Sequence, residues 1–145
     1  EETDMIRKFQ EKDIDRVAEI WLNGNLEAHS FIAEEYWKDH FDMVKEMLAS
    51  AEIYVLEDEK GIQGFVGLNG HHIEGIFVDG TERSKGIGKQ LLDFVKNRKG
   101  QLSLNVYAEN EKAMKFYLRE GFTVQEKSMD PDTGEQEYKM MTIFP

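Results

Sequence analysis

Residues 83–88 read Arg-Ser-Lys-Gly-Ile-Gly, between an apolar strand-like run at 73–78 and a strongly helical run at 89–99. A turn with two glycines, feeding a helix N-terminus, ties a strand to a helix. It also leaves several backbone N–H groups free at the positive end of the helix dipole. Such a turn binds phosphate through oriented donors. A phosphorylated cofactor is the first functional expectation.

The rest of the chain supplies the sheet. Residues 5–9 read as a short strand. Asp13 is placed to cap a helix with Ile14, Val17, Ala18, Trp21 and Leu22 on its apolar face. After a bend at 28–31, a second helix sets Trp37, His40, Phe41, Val44, Met47 and Leu48 at helical spacing. Strands follow at 52–57, 62–68 and 71–78, joined by turns at 58–61 and Asn69-Gly70. The helix after the glycine turn buries Ile87, Leu91, Leu92 and Val95 and stops at Gly100. A strand at 102–107, a helix capped by Asn110 and ended by Gly121, and strands at 122–129 and 137–144 complete the chain. The order β-α-α-β-β-β-α-β-α-β-β predicts an α/β (α+β) domain with a mixed sheet.

At 145 residues without repeats or linkers, residues 1–145 read as one domain. No apolar run approaches the roughly 20 residues that cross a bilayer. Glu-Glu-Thr-Asp at the start is not a signal-peptide pattern, so the expectation is a cytoplasmic protein without a membrane partner. The absence of cysteine excludes thiolate catalysis and thiolate metal sites. His71 and His72 point apart on a strand, and His29 and His40 have no ligand partners at diagnostic spacing, so no metal is expected. The net charge of −11 resides in residues 1–59, which hold 17 acids against 6 bases. That balance disfavours nucleic acid.

The glycine turn lacks the Gly-Lys-Ser/Thr of a P-loop, and it follows the fourth strand rather than the first. A second stretch reads Asn110-x-x-Ala113-x-x-Phe116-Tyr117-x-x-x-Gly121-Phe122. Paired with Arg83-x-x-Gly86-x-Gly88 a helix and a strand earlier, it resembles the GCN5-related N-acetyltransferase (GNAT) superfamily. Trp21, the 28–31 segment and His72 are similar to small single-domain bacterial members of the YjaB type. The resemblance implies a mostly antiparallel sheet of about seven strands, flanked by four helices and splayed between strands 4 and 5. It implies acetyl-CoA as acyl donor and an amine acceptor. The main chain of Ile76, Phe77 and Val78 would pair with the pantetheine arm. The amides of Ser84, Lys85, Gly86, Ile87 and Gly88 would hold the diphosphate, with Arg83 opening the loop and Lys85 and Lys89 meeting phosphate charge. Asn110 would bond the pantetheine or cap the helix beneath it.

Acetyl transfer needs a neutral amine, a polarised thioester oxygen, a proton for the leaving thiolate, and alignment. Tyr117 matches the family's general acid; a phenol of pKa about 10 can protonate a thiolate of about 8.5 in contact with it. The backbone N–H of Ile76 or Phe77 is the expected oxyanion donor. His72 falls where family members carry a catalytic glutamate, and Glu74, two residues on, is the second candidate base. By strand alternation His72, Glu74 and Ile76 share one face. His29, Phe31, Tyr36 and Trp21 are candidates for the acceptor pocket, between the first two helices and the last hairpin. Its acidic surroundings favour a cationic acceptor: a small amine, a peptide N-terminus or a lysine side chain. A non-catalytic module that binds and senses acyl-CoA is the competing reading. The last strand can pair between subunits, so monomer and homodimer both stay open.

Overall fold

The computed structural model describes residues 5–80 and 86–143. Among these residues, seven strands form one sheet: β1 (Ile6–Lys8), β2 (Glu52–Asp58), β3 (Gly61–Asn69), β4 (His72–Val78), β5 (Gln101–Tyr107), β6 (Thr123–Met129) and β7 (Gln136–Ile143). Their spatial order is β1-β2-β3-β4-β5-β7-β6. Every neighbouring pair is antiparallel except β4 with β5. Five α-helices among the described residues cover it: α1 (Ile14–Ala28), α2 (Glu34–Asp39), α3 (Phe41–Leu48), α4 (Ile87–Arg98) and α5 (Glu111–Arg119).

Each face of the sheet buries its own core. Alternation along β2 sends Ile53 and Val55 to a cluster with Val17, Ala18, Ile20 and Leu48 of α1 and α3. Tyr54 and Leu56 face the other way, toward Leu91, Leu92 and Val95 of α4 and Tyr117 of α5. α4 thus lies on the side of the sheet opposite the acidic first helices.

Three expectations need correction. The single second helix is two, broken at His40, which ends α2 and begins α3 with φ −91° and ψ −3°. Its N–H turns back to the Trp37 carbonyl at 3.2 Å, a tightened last turn. Asp13 does not cap α1 with its side chain. It ends a short 3₁₀ turn, and its carboxylate accepts from the Gln10 N–H at 2.8 Å and from Arg7 at 2.9 and 3.1 Å. The third correction concerns β4. Gly67 pairs with Gly75 but Leu68 pairs with Ile73, so Glu74 is an extra residue, a β-bulge. Alternation restarts after it. Ile76 and Val78 join the cluster of Ile73, while Phe77 joins the other. His72 and Ile76 therefore lie on opposite faces.

Candidate active site

The parallel ladder between β4 and β5 holds two pairs, His72 with Ser103 and Ile73 with Leu104. Past them the strands diverge. β4 remains bonded to β3 as far as Val78, and β5 to β7 as far as Tyr107. The wedge between them opens a cleft of about 1120 Å³. Glu74, Gly75, Ile76, Phe77 and Val78 line one side, and Asn105, Val106 and Tyr107 the other. A divergent strand edge of this kind exposes main-chain donors and acceptors to an extended, amide-bearing ligand.

One end of the cleft meets the start of α4. Gly86 is the N-cap residue with φ +78°, a left-handed conformation that suits glycine. The first intrahelical bond runs from the Gln90 N–H to the Gly86 carbonyl at 3.0 Å. The amides of Ile87, Gly88 and Lys89 precede it and have no intrahelical acceptor. Gly88 lines the cleft, where an added Cβ would come within 3.8 Å of Phe116 and 3.9 Å of Val78. Lys89 Nζ is paired with Glu120 at 3.1 Å and Asp93 at 3.4 Å. The expected diphosphate residues Arg83, Ser84 and Lys85 lie outside the described residues.

Tyr117 reaches the cleft from α5, which Asn110 caps by accepting the Ala113 N–H at 3.3 Å. The phenol is 8 % exposed, edge-on to Phe116 and Phe122 with ring centroids 5.3 and 5.5 Å away. Burial raises its pKa above the ordinary phenol value, so the hydroxyl holds its proton.

The two candidate bases are placed differently. Glu74, exposed at the bulge, lines the cleft. His72 does not; its Nδ1 lies 2.8 Å from Ser103 Oγ at the closed end of the ladder. Of the acceptor candidates, His29 and Trp21 line the cleft, whereas Phe31 and Tyr36 do not. Phe31 is edge-on to His29 at 5.6 Å, and Tyr36 to Trp37 at 4.8 Å. Trp21 also packs with the first-helix core. Burial pushes the His29 imidazole down to about 4, so it is neutral near pH 7.

Sequence reasoning missed Tyr107, Asp130, Glu137 and Trp37 at this end. The Tyr107 hydroxyl donates to Asp130 Oδ2 at 2.5 Å, and Tyr107 is opposite Glu137 in the β5–β7 register. Burial, with Asp130 nearby, raises the Glu137 pKa. Burial also raises Tyr36, with smaller effects from Asp130 and Asp132 of the hairpin turn. Residues 130–134 read Asp-Pro-Asp-Thr-Gly, a turn composition, but nothing in it tells which strand end its carboxylates meet. Trp37 Nε1 is a buried donor without a partner among the described residues.

A splayed parallel pair, a glycine-led helix start and a buried tyrosine on the next helix thus meet in one cleft. Residues 49–124 match the acetyltransferase (GNAT) domain. The chain is 33 % identical over 131 residues to the peptidyl-lysine N-acetyltransferase YiaC of Escherichia coli, covering 89 % of this chain and 90 % of YiaC. It superposes on the solution structure of apo YjaB from Escherichia coli with a TM-score of 0.85 and 26 % identity, covering 97 % of each chain. PaiA N-acetyltransferase of Thermoplasma acidophilum, solved in complex with coenzyme A, shares the fold with a TM-score of 0.81 and 19 % identity, covering 96 % of this chain and 98 % of PaiA. The chain belongs to the GNAT acetyltransferases.

Proposed function

We propose that this cleft transfers an acetyl group from acetyl-CoA directly to a primary amine, with peptidyl lysine as the acceptor class. The observation that carries the reading is Tyr117: a buried, protonated phenol in the same cleft as the unpaired edge of β4. Membership of the family and the peptidyl-lysine activity named for YiaC support it. The main chain of Ile76, Phe77 and Val78 takes the pantetheine arm as an added strand, and the amides of Ile87 and Gly88 meet the diphosphate. An N–H of Ile76 or Phe77 stabilises the oxyanion as the amine nitrogen attacks the thioester carbonyl. The carbon–sulfur bond breaks, and Tyr117 passes its proton to the departing sulfur.

Geometry favours Glu74 over His72 as the group that takes the amine proton, directly or through water, because Glu74 faces the cleft. Asp130, Glu137 and the ring of Tyr107 form the acceptor end, where a carboxylate and an aromatic ring suit an ammonium group before it loses its proton. The test is release of free thiol from acetyl-CoA in the presence of lysine peptides, N-terminal peptides and small amines. Turnover highest with lysine peptides is expected. Coenzyme A binding without thiol release from any amine would leave a binding module instead.

A further inference from the structure

A line of hydrogen bonds joins the end of α1 to the start of α5, and the chemical steps above leave it unused. Asn25, 3 % exposed, donates from Nδ2 to the Trp21 carbonyl at 2.9 Å. A carbonyl only accepts, so the oxygen end of the Asn25 amide faces His29, with Oδ1 2.9 Å from Nδ1. At the other end the Ala113 N–H only donates, so it fixes the Asn110 amide with Oδ1 toward the helix. Asn110 Nδ2 is then left 3.1 Å from His29 Nε2. Two backbone groups with fixed roles thus determine every atom between them. His29 must carry its proton on Nδ1 and offer Nε2 as an acceptor. A second ring proton would set an N–H against the Asn110 NH₂. Packing holds the ring in place: Trp37 stacks on it at 5.5 Å, and Tyr107 meets it edge-on at 5.1 Å.

We infer that His29 is a positioning residue for Asn110: held by Asn25 as the neutral Nδ1–H tautomer, it accepts a hydrogen bond from one Asn110 amide N–H and leaves the other N–H for the pantetheine carbonyls. A primary amide has one oxygen and two N–H donors. Here the oxygen caps α5 and one donor is taken by His29, so a single donor remains on a residue that lines the cleft. Asn110 then caps the helix and serves the cofactor at once. His29 ties the acceptor-side helix to the cofactor-side helix. The inference rests on the cleft being the acetyl-CoA site.

The tautomer is read without ligand, from long-range proton–nitrogen spectra of protein labelled at the histidine nitrogens. His29 is expected with Nδ1 protonated and Nε2 bare from pH 7.5 to 5.5. Calorimetry with coenzyme A then measures the consequence. His29→Phe keeps an aromatic ring but offers no acceptor, and is expected to bind about ten-fold more weakly. His29→Gln, with an amide oxygen where Nε2 stood, is expected to recover most of that loss. Adding Asn110→Ala to His29→Phe should weaken binding no further than Asn110→Ala alone. A protonated Nε2, equal losses for Phe and Gln, or additive losses in the double variant would overturn the proposal. Wild-type protein with the expected tautomer but no affinity for coenzyme A would overturn the acetyl-CoA reading, and this proposal with it. The wrong tautomer in protein that binds coenzyme A overturns this proposal alone.

Discussion

Tyr117 packs in the core, and in the proposed reaction it also donates a proton; a single oxygen atom separates the two duties. Its ring contacts with Phe116 and Phe122 survive Tyr117→Phe, while the proton does not. That substitution should lower kcat by at least about ten-fold with little change in coenzyme A affinity, measured by thiol release and calorimetry on one preparation. Unchanged turnover would assign the proton to water. Asp130→Asn addresses the carboxylate that holds Tyr107, a residue of the cleft wall. It keeps the shape and an acceptor for the Tyr107 hydroxyl but removes a negative charge. The KM for a lysine peptide should rise several-fold, with kcat nearly constant. An equal effect on a neutral amine acceptor would mean Asp130 only braces Tyr107.

Among the elements, β4 decides the most. Its existence and length follow from apolar content between turn signals, and its place as fourth strand follows from the order of elements. The bulge at Glu74 does not, because a bulge is a property of two strands in register. Within β4 alone, alternation puts His72 and Glu74 together. Pairing with β3 turns Glu74 into the cleft and leaves His72 against Ser103. Gly64 of β3, opposite Val78, is a site of close approach. A Cβ at Gly64 would meet the Phe77 carbonyl oxygen at 2.9 Å, Ile87 at 3.0 Å and Leu91 at 3.3 Å. Gly64→Ala must therefore move α4 or the β4 edge, at a cost of about 1–3 kcal/mol. A fall in the urea midpoint accompanied by weaker coenzyme A binding is expected; an unchanged midpoint would show that the sheet yields freely.

For the whole molecule, the buried imidazole makes stability depend on pH. Unfolded His29 takes a proton near pH 6.5, and folded His29 near 4. The unfolded chain binds more protons between these values, so stability falls as pH drops through that window. Asp13, Glu52 and Glu120 have carboxyls held below their ordinary values, and their contributions are lost lower down. Glu137, raised, works in the opposite sense just above its ordinary value. The upper part of the window, about pH 6.5 to 5.5, therefore isolates His29. Urea titrations should show stability falling across it in wild type and a flatter profile in His29→Gln. Parallel profiles would place the titrating group elsewhere.

The break of the second helix at His40 was not present in the chain as written, whereas the strand order, the glycine-led start of α4 and the Asn110-to-Phe122 pattern were. Each depends on residues within a few positions of one another, where periodicity and backbone preference act. Joining His29 to Asn110, 81 positions apart, Tyr107 to Asp130, and Glu74 to the cleft rather than to the face of His72 required the folded molecule. Those relations are set by strand register, a one-residue bulge and the packing of helix ends. Such terms arise only when distant segments share one core, so no local stretch of residues encodes them.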